Sequence, residues 1–459
     1  VVGAHGPVDR LAIRRQEQYV DTIRIGMLGC GVVGQGTVRL LADLADDLAA
    51  RVGARLELTR VAVRDTARDR GLPEGVAVTD DAMSVVMADD VDLVIEVIGG
   101  VEGTGELVEA ALRAGKPVVT ANKALIAERG AQLHASADAS GVDLLYEAAV
   151  AGAIPIVRPM RASLAGDRVR RVVGILNGTT NYILTRMSSE GAPYAEVLAR
   201  AQALGYAEAD PSADVDGHDA AAKIAILAGI AYDTVVQGDD VPREGIAGVT
   251  PRDIEVGHEL GYVVKLLGIA TAEGDEVAVR VHPTFLPADH PLARVDDAFN
   301  AVYVEADGAG ELMFYGRGAG SLPTASAIVG DVVEAATNLV RGTTAPTISR
   351  HAARSVRALE TISTQYYVRL EVEDEPGVLA DVARTFGRHD VSIAQVLQDE
   401  VTVPSDSAGA EGETAMELVI VTHLALEASL QATVYDLETN TDGVIAVASV
   451  LRVEAEVEA

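Results

Sequence analysis

Short apolar runs bounded by turn residues alternate with helical stretches through the first third of the chain. The segment "IRIGMLGCGVVGQGTV" (23–38) opens as a buried strand, turns through Gly29-Cys30-Gly31-Val32-Val33-Gly34 and continues as a helix to about Arg51. "LELTRVAVRD", "VDLVIEVIGG" and "KPVVTANK" read as further strands, separated by Ala- and Leu-rich helical stretches. "VDLLYEAAVAG" closes the region near residue 150. Unbroken apolar runs of this kind belong to strands covered on both faces, as in a parallel sheet. The alternation predicts a doubly wound α/β domain over residues 22–149.

The pattern changes after residue 150. Residues 150–345 mix helices ("AEVLARAQALG", "DAAAKIAILAGIAY") with strands ("RVRRVVGILNG", "AVRVHPTFLP", "AFNAVYVEA") and read as an α+β domain. "SAIVGDVVEAATNLV", within a helix of about 322–342, is expected to pack back on the first domain. Residues 346–365 read as a linker. Beyond it the order is strand, helix, strand, a polar loop "VPSDSAGAEGETA", strand, helix, strand. That β-α-β-β-α-β order predicts a small ferredoxin-like domain over 366–455. Residues 1–21 read as a disordered leader without the apolar core of a secretory signal.

Charge narrows the partners. With 37 Lys and Arg against 69 Asp and Glu, the formal charge is −32. Such a surface repels phosphate backbones and anionic lipids, which argues against nucleic acid and membranes. The single cysteine, Cys30, excludes an intrachain disulfide and a cysteine-cluster metal site. A soluble cytoplasmic protein fits. Cys30 sits inside the glycine loop, where a small buried filler explains it better than redox sensing.

A strand, a GxGxxG turn and a helix at the start of a βαβ unit form a dinucleotide site. Gly29, Gly31 and Gly34 let a pyrophosphate approach the helix N-terminus, whose N–H groups and dipole favour anions. The second strand ends in Arg64-Asp65. An acid there takes the ribose hydroxyls of NAD, and an Arg suits the 2′-phosphate of NADP. Both cofactors stay open, with NADP favoured through Arg64.

The segment "AEADPSADVDGHDAAAKIAIL" (207–227) concentrates acids before a lone lysine. The chain has four lysines, and Lys223 follows Asp219 at i+4 on a helix otherwise apolar. At that spacing both side chains share one face. A surface ion pair is the ordinary reading of such a pair. The apolar run after Lys223 and the carboxylates converging before the helix point instead to a polar pocket for an amine and a proton donor.

The motifs "GILNGTTNYIL", "AQALGYAEADPSADVDGHDAAAKIAIL", "NK", "EAAVAGAIPI" and "YGRGAGSLPTASAIVGD", together with the dinucleotide fold, closely resemble homoserine dehydrogenase. "DEPGVLADVARTFGRHDVSI" resembles an ACT domain, an amino-acid-sensing module. The resemblance runs from about residue 22 to 455. It implies interconversion of L-homoserine and L-aspartate 4-semialdehyde with a nicotinamide cofactor, in the branch leading to threonine and methionine. It implies Lys223 as the acid/base, supported by Asp219, with Lys123 near cofactor and substrate. Glu208 would bind the substrate amine, with Tyr206, Asp214 and Thr179 lining the pocket. Val33, Gly99 and Gly320 would join the glycine loop and Arg64 at the cofactor. "EAAVAGAIPI" would form a structural sodium loop from Glu147 and the carbonyls of Val150, Gly152 and Ile154; a buried, hydrogen-bonded Glu147 is the alternative. In the last domain Asp374 and Gly377 would bind threonine as an effector, in a dimer or tetramer of the chain. A purely structural dimerisation module is the alternative there.

Two related activities are excluded. A semialdehyde dehydrogenase needs a cysteine nucleophile, and Cys30 lies in the phosphate loop. A fused aspartate kinase has no room. A non-enzymatic regulator would lack the proton donor, whereas Lys223, Asp219 and Glu208 are all present.

Overall fold

A computed structural model of the chain describes residues 21–346, 354–403 and 413–454. The expected leader, apart from Asp21, lies outside the described residues, as do part of the linker and most of the polar loop.

The first sheet contains β1 (Thr22–Leu28), β2 (Arg55–Ala62), β3 (Ala77–Thr79), β4 (Leu93–Glu96), β5 (Val118–Thr120) and β6 (Leu144–Leu145). All neighbours are parallel, in the order β3-β2-β1-β4-β5-β6, which is the doubly wound arrangement of dinucleotide-binding domains. Helices α1 (Val32–Asp43) and α2 (Ala45–Val52) cover one face, burying Val38, Leu41 and Leu48 against Ile25, Met27 and Ile95. Helices α3 (Ala82–Val86), α4 (Thr104–Arg113) and α5 (Lys123–Ser140) cover the other, where Val108, Leu112 and Leu125 meet Val94 and Val118. β4 and β5, sandwiched this way, are buried at every position, which is why their sequences read as nearly unbroken apolar runs, whereas β2 keeps exposed and half-exposed positions.

The second region holds β7 (Val169–Ile175), α6 (Gly178–Glu190), α7 (Tyr194–Ala203), α8 (Ser212–Val215), α9 (His218–Ala231), α10 (Pro251–Glu259), β8 (Tyr262–Glu273), β9 (Glu276–Pro287), β10 (Phe299–Ala306) and β11 (Gly310–Arg317). Helix α11 (Ser321–Arg341) then returns to the first domain, where Ile328, Val332 and Ala335 join the core of α1. Two strands here were not legible. β8 is central and its middle is buried throughout, so the run "KLLGIA" carries no period-2 signal. β11 is an edge strand with an exposed or half-exposed face at every position.

The C-terminal region adds β12 (Ser355–Val356), β13 (Ser363–Val372), α12 (Val378–Arg388), β14 (Ile393–Val403), β15 (Glu413–Thr422), β16 (Ala425–Leu426), α13 (Glu427–Thr439) and β17 (Val444–Val453). Strands order as β17-β13-β15-β14, with α12 and α13 burying Val382, Phe386 and Leu430 against Val368 and Leu370. This is the ferredoxin-like unit. It is not a separate body on a linker: β17 pairs in parallel with β9, so the two sheets form one continuous surface, β11-β10-β7-β8-β9-β17-β13-β15-β14. Of the two sheet edges that could pair between subunits, β17 is thus used within the chain. The opposite face of β13 turns Tyr367 edge-on to Phe285, 4.9 Å between centroids.

Charges are buried along this junction. Arg369 donates to Asp253 at 2.8 Å and to Glu417 at 3.3 Å, and Arg252 donates to Glu417 at 2.7 Å. Asp253 also closes a capping box with Thr250 at the start of α10. Among the described residues, no helix is long and apolar enough to cross a membrane.

Candidate active site

The carboxyl ends of the parallel strands carry the cofactor half. Gly29 adopts φ 91°, and a Cβ there would stand 2.7 Å from Val97 O, so the turn after β1 admits only glycine. Gly31 caps α1, and a Cβ on it would meet nothing within 4 Å; this is the open face a pyrophosphate needs. Gly34 passes 3.0 Å, at its absent Cβ, from Gly29 O, which holds helix to turn. Val33 follows in the first turn of α1, half-buried. The Cys30 thiol is buried, and desolvation pushes its pKa up, the opposite of a reactive thiolate.

Two neighbouring turns complete this rim. Glu96, fully buried at the end of β4, accepts the N–H groups of Ile98 and Gly99 at 2.7 and 3.0 Å and so shapes the turn that presents Gly99. Gly320 precedes α11 with φ 125°, and Ser321 Oγ donates to Val32 O at 2.8 Å, placing the N-termini of α11 and α1 together. Arg64 is exposed just beyond β2, and Asp65 beside it accepts the N–H of Ala67 at 3.1 Å. Arg68 is exposed and Arg70 half-buried on the same loop.

A cleft of about 510 Å³ opens between the domains, lined by Lys123, Lys223, Asp219, Asp214, Thr179, Tyr206 and Gly320 among others. Lys123 is the first residue of α5, whose start is capped by Asn122. Asp219 and Lys223 lie in the first two turns of α9, a helix whose described side chains are mostly buried. A helix apolar on nearly all sides belongs inside the core, and the ion pair is carried in with it. Lys223 is 8% exposed and Asp219 6%. Lys223 Nζ donates to Asp219 Oδ2 and to Leu176 O, both at 2.7 Å. Lys123 Nζ bonds Asp219 Oδ1 from across the cleft. An ammonium has three hydrogens, so Lys223 keeps one beyond these two partners.

The electrostatics follow from this count. Burial lowers the pKa of Lys223, Asp219 opposes that, and Lys123 adds repulsion; burial wins. Burial alone would raise Asp219, but two ammonium groups hold it well below the usual carboxylate range. The two shifts are compatible because Asp219 faces two cations while Lys223 faces one close anion. The arrangement is a lysine that can give and take a proton, beside an aspartate that stays charged.

The other expected residues divide. Asp214 and Thr179 line the cleft, Thr179 Oγ donating to Tyr206 O at 2.8 Å, and Tyr206 stacks on Tyr182 with centroids 4.7 Å apart. Glu208 is not brought to the cleft wall: Ala207 takes the buried position and Glu208 points to solvent. The Glu147 carboxylate accepts three backbone N–H groups, from Ile156, Val157 and Arg158, at 2.6, 2.8 and 2.8 Å. It organises its own turn. The carbonyls of buried Val150, Gly152 and Ile154 accept no backbone hydrogen bond from the surrounding turns among the described residues. Three such oxygens suit a hard monovalent cation, so a sodium ion remains compatible with them. Asp374 and Gly377 are exposed at the start of α12, Gly377 with φ 113°.

Sequence reading missed Asn177. It sits in the quoted "NGTTN" motif and its side chain touches both Asp214 and Asp219. The only signal for it was position: an Asn directly before a helix is a cap candidate.

A doubly wound dinucleotide domain whose strand ends face a buried lysine–aspartate pair defines a nicotinamide-dependent oxidoreductase. The homoserine dehydrogenase family model matches residues 155–333, the homoserine dehydrogenase NAD-binding domain model residues 29–147, and the ACT domain model residues 366–428. A homoserine dehydrogenase of Mycobacterium tuberculosis is 52% identical over 437 residues, covering 94% of this chain and 98% of the relative. The crystal structure of a homoserine dehydrogenase from Thiobacillus denitrificans superposes with a TM-score of 0.88 at 38% identity, over 95% of this chain and 99% of the other. A hyperthermophilic archaeal homoserine dehydrogenase in complex with NADPH aligns with a TM-score of 0.58 at 26% identity, over 68% of this chain and 97% of the other. The chain belongs to the homoserine dehydrogenase family and carries a C-terminal ACT domain.

Proposed function

We propose that the chain interconverts L-homoserine and L-aspartate 4-semialdehyde with NADP preferred over NAD, and that Lys223 carries the proton. The observation that bears most weight is the buried Lys223–Asp219 pair, approached by Lys123 from the dinucleotide domain. Reduction of the aldehyde needs hydride at carbon and a proton at oxygen, and the nicotinamide supplies the hydride when bound. Lys223 gives its remaining hydrogen to the developing alkoxide, and takes it back in the oxidation direction. Its lowered pKa suits both tasks better than an ordinary lysine of about 10.4 would. Lys123 orients substrate beside the cofactor. Asp214, with Glu208 at the rim, receives the substrate ammonium.

The NADP preference rests on Arg64, supported by an Asp65 already engaged with Ala67 N–H and by the NADPH bound in the archaeal relative. A structural sodium ion on the carbonyls of Val150, Gly152 and Ile154 belongs to the same reading. Threonine is the proposed effector, its carboxylate at the N-terminus of α12 by Gly377 and its ammonium at Asp374, in a cytoplasmic homo-oligomer. The deciding experiment is a turnover assay with homoserine and either cofactor. Efficient reduction of NADP with weaker use of NAD is expected; no homoserine turnover would end the proposal.

A further inference from the structure

Asn177 follows β7 and caps α6, and both edges of its carboxamide are occupied. Oδ1 accepts the N–H of Thr180 at 2.9 Å and its hydroxyl at 3.1 Å. An oxygen committed to the helix start leaves Nδ2 on the opposite edge, so the network itself fixes the amide orientation. Nδ2 donates to Asp214 Oδ1 at 2.7 Å and to Asp219 Oδ2 at 2.9 Å. The amide has two hydrogens, one for each carboxylate. Asp219 Oδ2 is also the oxygen that accepts from Lys223, and Leu176, the residue before Asn177, gives its carbonyl to the same ammonium. Two consecutive residues therefore grip both members of the ion pair.

Resting on the proton-transfer reading of Lys223, we propose that Asn177 is a positioning residue for the reaction: its carboxamide holds Asp214 and Asp219 side by side as carboxylates and so aims the Lys223 ammonium at the substrate oxygen. Two carboxylates drawn to one site oppose each other's ionisation. A neutral group donating to both at once offsets that opposition without adding charge. The charged groups facing Lys223 are Asp219 on its own helix, Asp214 on α8 and Lys123 on α5. Asn177 touches the two anions among them. Helix capping alone accounts for Oδ1 but leaves the placement of Nδ2 unexplained.

That distinction supplies the test. Ser and Asp cap helices as well as Asn does, so Asn177→Ser keeps the cap and removes the donors. Asn177→Asp keeps the cap and puts a third carboxylate beside the other two. Both variants are compared with the wild type and with Lys223→Ala by pH-dependent homoserine oxidation, by NADPH titration and by thermal melting. In both Asn177 variants kcat should fall about 10- to 100-fold, the scale of a small misplacement at the reacting centre. NADPH affinity should stay within about two-fold, because no cofactor contact is touched. In Asn177→Asp the pH of half-maximal oxidation should also move upward, since added negative charge holds the Lys223 proton. If Asn177→Ser melts like the wild type and keeps its kcat and pH profile, Asn177 is a cap and the inference is wrong, whatever Asn177→Asp does. That result with an inactive Lys223→Ala overturns this inference alone. A fully active Lys223→Ala overturns the proton-transfer reading and this inference with it.

Discussion

Replacing Lys223 with Met removes one charge and two hydrogen bonds while keeping an unbranched chain of similar length. The structural cost follows from what is left behind. Leu176 O loses its donor at 2.7 Å, and a buried unsatisfied carbonyl costs about 1–3 kcal/mol. Asp219 loses one partner but keeps Lys123 and Asn177. It is therefore not stranded, and the 3–5 kcal/mol typical of an orphaned buried charge does not apply in full. Part of the loss is returned, because wild-type Lys223 is buried with its pKa lowered below the ordinary 10.5. The unfolded chain then binds more protons than the native one between the two pKa values, so the wild type gains stability as pH rises through that window. Lys223→Met lacks this gain. The variant should fold, melt a few degrees lower near neutral pH and bind NADPH normally. Chemistry should suffer far more, by about 10²–10⁴ in kcat, the usual loss of a general acid–base group. The alkaline-rising limb of homoserine oxidation should vanish with the residue. Stopped-flow single turnovers separate this step from product release. A folded Lys223→Met with kcat within tenfold of wild type, or with the same pH limb, would refute the assignment.

Arg64→Ala should raise the Michaelis constant for NADPH about 10- to 100-fold, from loss of a charge-assisted contact of about 1.5–3 kcal/mol, and leave NADH nearly unchanged; equal effects on both would remove Arg64 from the cofactor site. Arg369→Met should lower stability by about 3 kcal/mol, measured by denaturant titration, because Asp253 at the junction is fully buried beside it; an unaltered midpoint would show that the pair contributes nothing. Threonine at millimolar concentration should inhibit the wild type and raise its melting temperature, with Asp374→Ala shifting both to higher concentration; a wild type that ignores threonine in both assays rules out the sensor reading.

What could be read from sequence was what the chain writes locally. The turn from Gly29 to Gly34 is one contiguous motif, and Asp219 and Lys223 lie one helical turn apart, so pattern and spacing reached both. The distant partners did not announce themselves. Lys123 meets Asp219 across 96 positions and Asn177 across 42; the first was supplied by family resemblance, and the second was missed. Glu208 was likewise supplied by family resemblance; the turn after Gly205 buries Ala207 and leaves Glu208 exposed. The middle sheet was half legible: β7, β9 and β10 show strand patterns in sequence, whereas β8 reads as an apolar run broken by Lys265 and Gly268, and β11 alternates only between exposed and half-exposed positions and so has no buried face.

The junction of the ACT domain with the catalytic sheet was beyond any local pattern, and its construction explains why. β17 and β9 are registered by two residue pairs, Arg452 with Thr284 and Val453 with Phe285. So short a ladder specifies its own register weakly. Slipping it by one residue would exchange the faces of Arg452 and Val453. In the observed register Arg452 is 6% exposed and bonds Glu427 at the start of α13 and Glu244 before α10. A slip would bury the guanidinium without either partner, which is among the most costly errors available to a folded chain. Arg369 on the adjacent β13 applies the same constraint against Asp253 and Glu417. Buried ion pairs of this kind add little net stability over apolar residues of the same shape. Their effect is to make one docking of the two sheets acceptable and its neighbours not, which is what a junction held by so few backbone pairs requires.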